Sequence, residues 1–184
     1  HIAHNRTDLA IMVRPPNDLD TGHQPFAPHP YGIVAAPAHP LVTAKNISLA
    51  TLMREQFVVR EKGSDTWHSM VEGFGGDLGD IRIAMQIPST ETIKQAVIAN
   101  MGLAFISLHT VELEVRTRLL TILDVKGLTL IRSWHLVNLR SSGLSPAADS
   151  FRYFVLERGA TLLRGQFHRL PVAQPRTARR TMSN

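Results

Sequence analysis

Two runs of small polar residues, each directly before a helical pattern, are the part of this sequence best suited to binding chemistry. They are residues 63–66 (GSDT) and residues 88–90 (PST). The first turn of a helix carries backbone N–H groups without intrahelical partners, so these amides and the adjacent hydroxyls can hold an anionic oxygen. We therefore predict an anion-binding rim made of Gly63, Ser64, Thr66, Pro88, Ser89 and Thr90.

A plainer interpretation of both runs stays open. Serine is a preferred N-cap because its hydroxyl accepts a hydrogen bond from the first helical turn, so capping alone would account for Ser64 and Ser89. Asp65 lies inside the first run, and its carboxylate opposes an anion.

Arg14 is the remaining candidate for a binding residue. It ends an apolar strand pattern, residues 8–13 (DLAIMV), and two prolines follow it. A guanidinium in this place can hold a phosphate or carboxylate with two parallel hydrogen bonds. A surface ion pair is the alternative role for the same side chain.

The sequence offers no set of residues typical of a catalytic or metal centre. It has no cysteine, and its nine histidines are scattered without the acid or thiol partners of a zinc motif. There is no G-x-S-x-G run. The glycines at residues 73–76 follow a helical rather than a strand pattern, so they do not form a dinucleotide-binding loop. We predict no metal, no cofactor and no enzymatic activity.

The net charge of +5 is placed unevenly along the chain. Residues 1–158 hold 15 basic and 15 acidic residues, whereas residues 159–184 hold five arginines and no acid. The body therefore lacks the charge of a nucleic-acid-binding surface. We expect residues 165–184 to form a basic disordered tail. The absence of a long apolar run or a signal-peptide pattern predicts a cytoplasmic chain with no membrane partner.

Alternating strands and helices predict an α/β fold with a mainly parallel sheet. At its centre, residues 81–107 give a strand, a helix capped by Ser89 and a buried strand, and Gly102 is expected to be the left-handed stop of that helix. Residues 15–30 hold five prolines and are predicted to be a loop with at most a short edge strand.

Two further helices carry apolar stripes. The stripe of the helix near residue 70 consists of Trp67, Met70, Val71 and Phe74, and is expected to enter the core. The final helix begins at Ser145 and Pro146, and its predicted inner face consists of Phe151, Phe154, Val155 and Leu162.

Several longer runs resemble the LysR-type transcriptional regulators. The family pattern is similar over residues 8–12 (DLAIM), 14–16 (RPP), 34–37 (VAAP), 39–41 (HPL) and 60–66 (REKGSDT). Residues 91–97 (ETIKQAV), 101–110 (MGLAFISLHT) and 144–148 (LSPAA) are most similar to the branch that regulates the RuBisCO operon, called CbbR.

The resemblance implies a two-lobed effector domain of the periplasmic-binding-protein type 2 fold, with the effector between the lobes. Its lobes would be a first lobe, incomplete at its N-terminus, at residues 1–37 and 131–164, and a second lobe at residues 38–130. It implies a small anionic effector, either a phosphorylated sugar or acid or NADPH. It also implies a homodimer or tetramer of the full-length protein, and carbon dioxide fixation as the process controlled.

The chain departs from the family pattern in three places. The helix-turn-helix domain, through which the family binds promoter DNA, is absent, and so are the opening strand and helix of the first lobe. Trp67 stands where the branch has an arginine, which puts one anion contact in doubt. Two other functions stay open: a solute-binding protein of the same two-lobed fold, and a small α/β enzyme.

Overall fold

The computed structural model describes residues 7–79, 81–128 and 130–167. The described strands are β1 (Ala10–Met12), β2 (Thr21–Ala35), β3 (Gln56–Val59), β4 (Arg82–Gln86), β5 (Ala104–Ser107), β6 (Thr121–Ile122) and β7 (Ile131–Leu139). The described α-helices are α1 (Leu49–Leu52), α2 (Asp65–Gly73), α3 (Thr90–Ile98), α4 (Glu112–Arg116) and α5 (Pro146–Phe167). Short 3-10 turns at Pro40–Thr43 and Leu108–Thr110 complete the set.

Antiparallel pairing dominates the sheet. The strand order is β1-β7-β2-β5, with β6 also on β2, and every pairing in this sheet is antiparallel. Among the described residues, β3 and β4 form the parallel pair of strands, and the bridge between Phe57 and Leu103 adds the start of β5 to it. A second parallel bridge joins Ile47 to Val125. The α/β class is thus confirmed, whereas the expectation of a mainly parallel sheet is wrong. Helix α3 connects β4 to β5.

Strand β2 corrects the prediction of a loop over residues 15–30. It runs beside β7 from the pair Thr21–Leu139 to the pair Pro30–Ile131. Its three prolines face alternate residues of β7, because a bulge between Pro25 and Ala27 restores the alternation. The next N–H along β2, that of Tyr31, donates to Leu130 O at 3.0 Å, so the prolines occupy positions that donate nothing to β7.

The end of α3 is built by Asn100 rather than by Gly102. Asn100 has a φ of +58°, and its N–H donates to Val97 O at 2.8 Å while the N–H of Met101 donates to Ala96 O at 3.0 Å. These two bonds form a Schellman motif with Asn100 in the left-handed position. The predicted role of Gly102 is therefore wrong.

Gly102 is needed for a different reason. Its φ is +151°, and a Cβ at this position would lie 2.7 Å from the carbonyl oxygen of Gln56. The adjacent Leu103 N–H donates to that same oxygen at 2.8 Å. The glycine therefore lets the chain pass close enough to β3 for β5 to begin.

The apolar stripe of α2 enters the core as expected. Met70 and Phe74 are buried, and Trp67 and Val71 pack against the same cluster. The expectation for α5 holds only for Val155, which is buried. Its other three predicted core residues are about half exposed: Phe151, Phe154 and Leu162. Helix α5 extends to Phe167, and residues 168–184 of the predicted tail lie outside the described residues.

A buried ion pair joins α3 to α4. Lys94 Nζ donates to Glu114 Oε1 at 2.7 Å and to Thr110 O at 3.0 Å, and it also lies 2.9 Å from Glu91 Oε2. Burial disfavours the charged ammonium, but the hydrogen bonds to the two glutamates outweigh it and raise the pKa of Lys94. The ammonium is therefore charged inside the fold and depends on its partners.

We expect Gly102→Ala to lower the free energy of unfolding by about 3 kcal/mol, because the new Cβ collides with the β3 backbone. Gly127→Ala is the matched control. Gly127 also has a positive φ, +78°, but nothing lies within 4 Å of its Cβ position, so a loss of about 1 kcal/mol is expected. Urea denaturation measures both variants, and equal losses would contradict the steric explanation.

We expect Glu114→Ala to cost about 3 kcal/mol of stability, since it leaves the buried ammonium of Lys94 without its buried partner. Glu91→Ala removes the other carboxylate, which is 73% exposed, and should cost less than about 0.5 kcal/mol. Thermal and chemical denaturation measure the loss of unfolding free energy in each variant. The two losses compare a buried and an exposed carboxylate that pair with the same ammonium.

Candidate functional site

Both predicted helix N-termini lie at one edge of the parallel strands. Because β3 and β4 run in the same direction, their carboxyl ends meet at the same edge, and α2 and α3 begin shortly after them. Arg60, the residue after β3, donates from Nη1 to Thr90 Oγ1 at 3.2 Å. The end of β3 is thereby tied to the start of α3.

The serines of both runs are helix caps. Ser64 Oγ accepts from the Trp67 N–H at 3.1 Å and donates to Glu61 O at 2.9 Å. Ser89 Oγ accepts from the Thr92 N–H at 3.3 Å. The capping alternative is therefore confirmed for both residues. The neighbouring Gly63 has a φ of +92° and open space around it, and Pro88 is exposed.

Asp65, at the start of α2, contacts residues from two distant parts of the chain. It is the first residue of α2, and its carboxylate accepts from Arg14 Nε at 3.2 Å and from the Tyr31 hydroxyl at 2.8 Å. Arg14 follows β1, and Tyr31 belongs to β2. The ion-pair alternative for Arg14 is thus what the structure contains, with half of the arginine side chain exposed.

The Tyr31 hydroxyl is held in its neutral form. Burial, together with the hydrogen bond to Asp65, raises the pKa of Tyr31, while Ser69 and Thr66 on the next part of α2 oppose the rise. Tyr31 in turn contributes to the raised pKa of Arg60, after the larger effect of the hydrogen bond to Glu61. The starts of α2 and α3 therefore belong to one electrostatic neighbourhood.

Each of the two arginines of this site is paired with a carboxylate. Arg60 donates to both carboxylate oxygens of Glu61, from Nε at 2.7 Å and from Nη2 at 2.8 Å. Arg14 is paired with Asp65 as described. The site thus contains cations suited to an anionic group, together with carboxylates that already engage them.

A cluster of aromatic rings lies behind Tyr31. The ring of His29 contacts the rings of Tyr31, Trp134 and His109, with centroid distances of 4.7, 4.2 and 5.2 Å. The Trp134 indole donates to His109 Nδ1 at 3.4 Å. His29 is 3% exposed, and its Nδ1 is buried without a hydrogen-bond partner among the described residues.

Both histidines of this cluster are neutral at pH 7. Burial, and next the charge of His109, lowers the pKa of His29 to about 4. Burial also lowers the pKa of His109 to about 4. The wall behind Tyr31 is therefore polar but uncharged.

The contacts in the structure connect two of the predicted site residues, Arg14 and Thr90, to this region. Arg14 meets the start of α2 through Asp65, and Thr90 meets Arg60. Sequence reasoning did not select Tyr31, His29, Trp134 or Arg60, and it treated Asp65 only as a drawback. The alternation of His29 and Tyr31, two residues apart on one face of a strand, was the available signal, but the loop predicted from the prolines concealed it.

A cavity of about 410 Å³ adjoins Tyr31. Tyr31 and Leu108 line part of it, and its charged lining residues are Lys45 and Asp124. None of the residues predicted from the sequence lines this cavity. The predicted rim and the cavity are therefore different places on the molecule.

Two other kinds of feature do not occur in the described part of the chain. Within residues 7–79, 81–128 and 130–167, no group of three or more histidine or acidic side chains could hold a metal ion. In the same part of the chain, no helix is both long enough and apolar enough to cross a membrane.

We expect stability to fall as the pH is lowered from 7 to 5, by about 2 kcal/mol for the buried His29 and by less for the partly exposed His109. The unfolded chain, in which histidine has a pKa near 6.5, binds protons in this range that the folded chain excludes. His29→Gln should flatten the slope of unfolding free energy against pH. His68→Gln, at an exposed position of α2, should keep the wild-type slope, and a flattening by both variants would contradict the assignment.

Comparison with known proteins places this geometry in a family. Residues 1–160 match the family of LysR substrate binding domains. The chain is 44% identical to the regulator CfxR of Cupriavidus necator over 86% of this chain and 50% of that protein. It is also 44% identical to the RuBisCO operon transcriptional regulator of Allochromatium vinosum, over 86% of this chain and 52% of that protein. The chain thus spans about half the length of these relatives.

Solved structures agree with the sequence relatives. The regulatory domain of CcmR from Synechocystis, in complex with 2-PG, is 34% identical with a TM-score of 0.79, over 85% of this chain and 75% of that chain. The regulatory domain of MetR from N. meningitidis is 19% identical with a TM-score of 0.65, over 86% of this chain and 73% of that chain, and shows likeness of fold alone. The periplasmic-binding-protein-like fold and the resemblance stated from the sequence are confirmed. This chain belongs to the family of LysR substrate binding domains.

Proposed function

We propose that this chain is the effector-sensing part of a transcriptional regulator that controls a RuBisCO operon in response to a small anionic metabolite. The proposal of a RuBisCO operon is based on the relative from Allochromatium vinosum. The proposed class of effector is based on the CcmR domain, which was solved with 2-PG. The observation that carries the proposal is the meeting of Arg14 with the start of α2 at Asp65, beside the start of α3.

The chemistry of this place suits a small phosphorylated acid or sugar. The N-termini of α2 and α3 supply backbone amides at one edge of the parallel strands. Arg14 supplies a half-exposed guanidinium, and the hydroxyl of Tyr31 supplies a neutral donor. In this proposal Gly63, Ser64 and Thr66 hold one side of the ligand, and Pro88, Ser89 and Thr90 border the other.

The site spans the two proposed lobes. Arg14 belongs to the lobe of residues 1–37 and 131–164, whereas the rim residues belong to the lobe of residues 38–130. Two ion pairs already cross this boundary: Arg14 with Asp65, and Arg132 of β7 with Glu72 of α2. A ligand that engages both sides would favour closure of the lobes, because it binds the closed arrangement better than the open one.

The remaining partners belong to the longer parent protein. We propose that the parent assembles as a homodimer or tetramer and meets promoter DNA through a helix-turn-helix outside this chain. The relatives described above are regulators, which favours this function over the solute-binding protein and the enzyme considered from the sequence.

We expect 2-phosphoglycolate to raise the melting temperature of the chain, since a ligand that binds only the native state stabilises it. Arg14→Gln should weaken the binding by about tenfold or more, because it removes a charge-assisted contact. Titration calorimetry measures the dissociation constants, with ribulose bisphosphate, phosphoenolpyruvate and NADPH as parallel ligands.

Arg116→Gln is the matched control for this experiment. Arg116 is 60% exposed and paired with Glu112, much as Arg14 is 51% exposed and paired with Asp65, but it lies on α4. Its substitution should leave the dissociation constant unchanged. A chain that melts cooperatively and is stabilised by none of the four ligands would refute the proposed function.

A further inference from the structure

The place best suited to an acidic ligand group is already occupied by an acidic side chain. The carboxylate of Asp65 sits at the first residue of α2 and takes hydrogen bonds from both Arg14 and Tyr31. An anionic ligand at this helix start would need the same cation and the same hydroxyl.

The two carboxylates of the site, those of Glu61 and Asp65, differ in how far along the chain their hydrogen-bond partners lie. Glu61 is the sequence neighbour of its arginine, so their pairing is local and keeps Arg60 in place. Asp65 instead contacts partners 51 and 34 residues away, one just after β1 and one on β2, and both belong to the other proposed lobe. Breaking the Asp65 contacts therefore frees donors that lie across the lobe boundary.

We propose that Asp65 is an internal competitor for the anionic ligand, which displaces its carboxylate from Arg14 and Tyr31 on binding. The inference rests on the proposed function, whose site it refines. Asp65 lowers affinity for singly charged or weakly held anions, because each must replace an intramolecular carboxylate that is always present. It thereby favours ligands whose acidic group is a dianion such as phosphate, which gains more from Arg14.

A second observation supports a ligand position here. His29, in ring contact with Tyr31, keeps its Nδ1 buried without a partner among the described residues. A buried polar atom without a hydrogen bond is costly. Once the Tyr31 hydroxyl is released from Asp65, it can donate to a ligand, and its ring can move relative to His29.

The test is the affinity of the 184-residue chain for inorganic phosphate, followed by titration calorimetry. Asp65→Asn keeps the size of the side chain and the Ser64 cap, but removes the competing charge, so phosphate should bind about tenfold more tightly than to the wild type. The indole N–H signal of Trp67, in the first turn of α2, should shift on titration. The sequence has only two tryptophans, so a Trp134→Phe variant assigns the signals.

Asp77→Asn is the matched control, since it removes the same charge from the loop beyond the opposite end of α2. It should leave phosphate affinity unchanged. The double variant Arg14→Gln/Asp65→Asn should lose most of the gain, because the freed cation is then missing. Phosphate affinity in Asp65→Asn that is equal to or weaker than in the wild type would overturn the proposal.

The outcome separates this inference from the proposed function. If Asp65→Asn gains affinity for phosphate but neither chain binds 2-phosphoglycolate, Asp65 is a competitor for anions and the proposed effector class is wrong. If 2-phosphoglycolate binds the wild type and Asp65→Asn binds it no more tightly, the sensor function stands and the role of Asp65 is refuted.

Discussion

The antiparallel pairing of β2 with β7 is the constraint on which the rest of the structure depends. It joins residues more than a hundred positions apart and leaves one edge of β7 for β1 and the far end of β2 for β5 and β6. Four side chains of the site depend on this pair for their positions. Tyr31 and His29 project from β2, Trp134 projects from β7, and Arg14 follows the strand that β7 holds in place. A shift of one residue in the register would turn these side chains to the opposite face.

The site is electrostatically balanced rather than strongly cationic. Its two arginines are paired with Asp65 and Glu61, and His29 and His109 are neutral. An anion therefore gains less from simple attraction than the residue types suggest, and more from hydrogen bonds that only a well-shaped group can make. Such a balance suits a sensor, because a modest difference in affinity between two arrangements is enough to shift their populations.

Local sequence patterns predicted most of the elements and both capped helix starts, because caps and apolar periodicity act within a few residues. They failed where the decisive contacts are distant. The prolines of β2 indicated a loop because proline cannot donate a backbone hydrogen bond. A strand accepts prolines at positions that face away from its partner, and the sequence does not show which positions of β2 face β7. Gly102 was correctly expected to be a position that requires glycine, but for the wrong reason. The requirement comes from the Gln56 carbonyl of another strand, which lies against it. The ion pair of Arg14 could not be assigned, because Asp65 is 51 residues away.

The prolines of β2 also affect which edge of the sheet could pair with a further strand. Pro25, Pro28 and Pro30 occupy the positions whose backbone groups point away from β7, so that edge presents carbonyl oxygens without the matching donors. An incoming strand, whether from another copy of the chain or from a misfolded neighbour, finds a poor template there. The outer edge of β1 carries no such block, and among the described residues only β7 pairs with β1. A further strand would therefore add more readily at the β1 edge of the sheet than at the edge of β2 that carries the prolines.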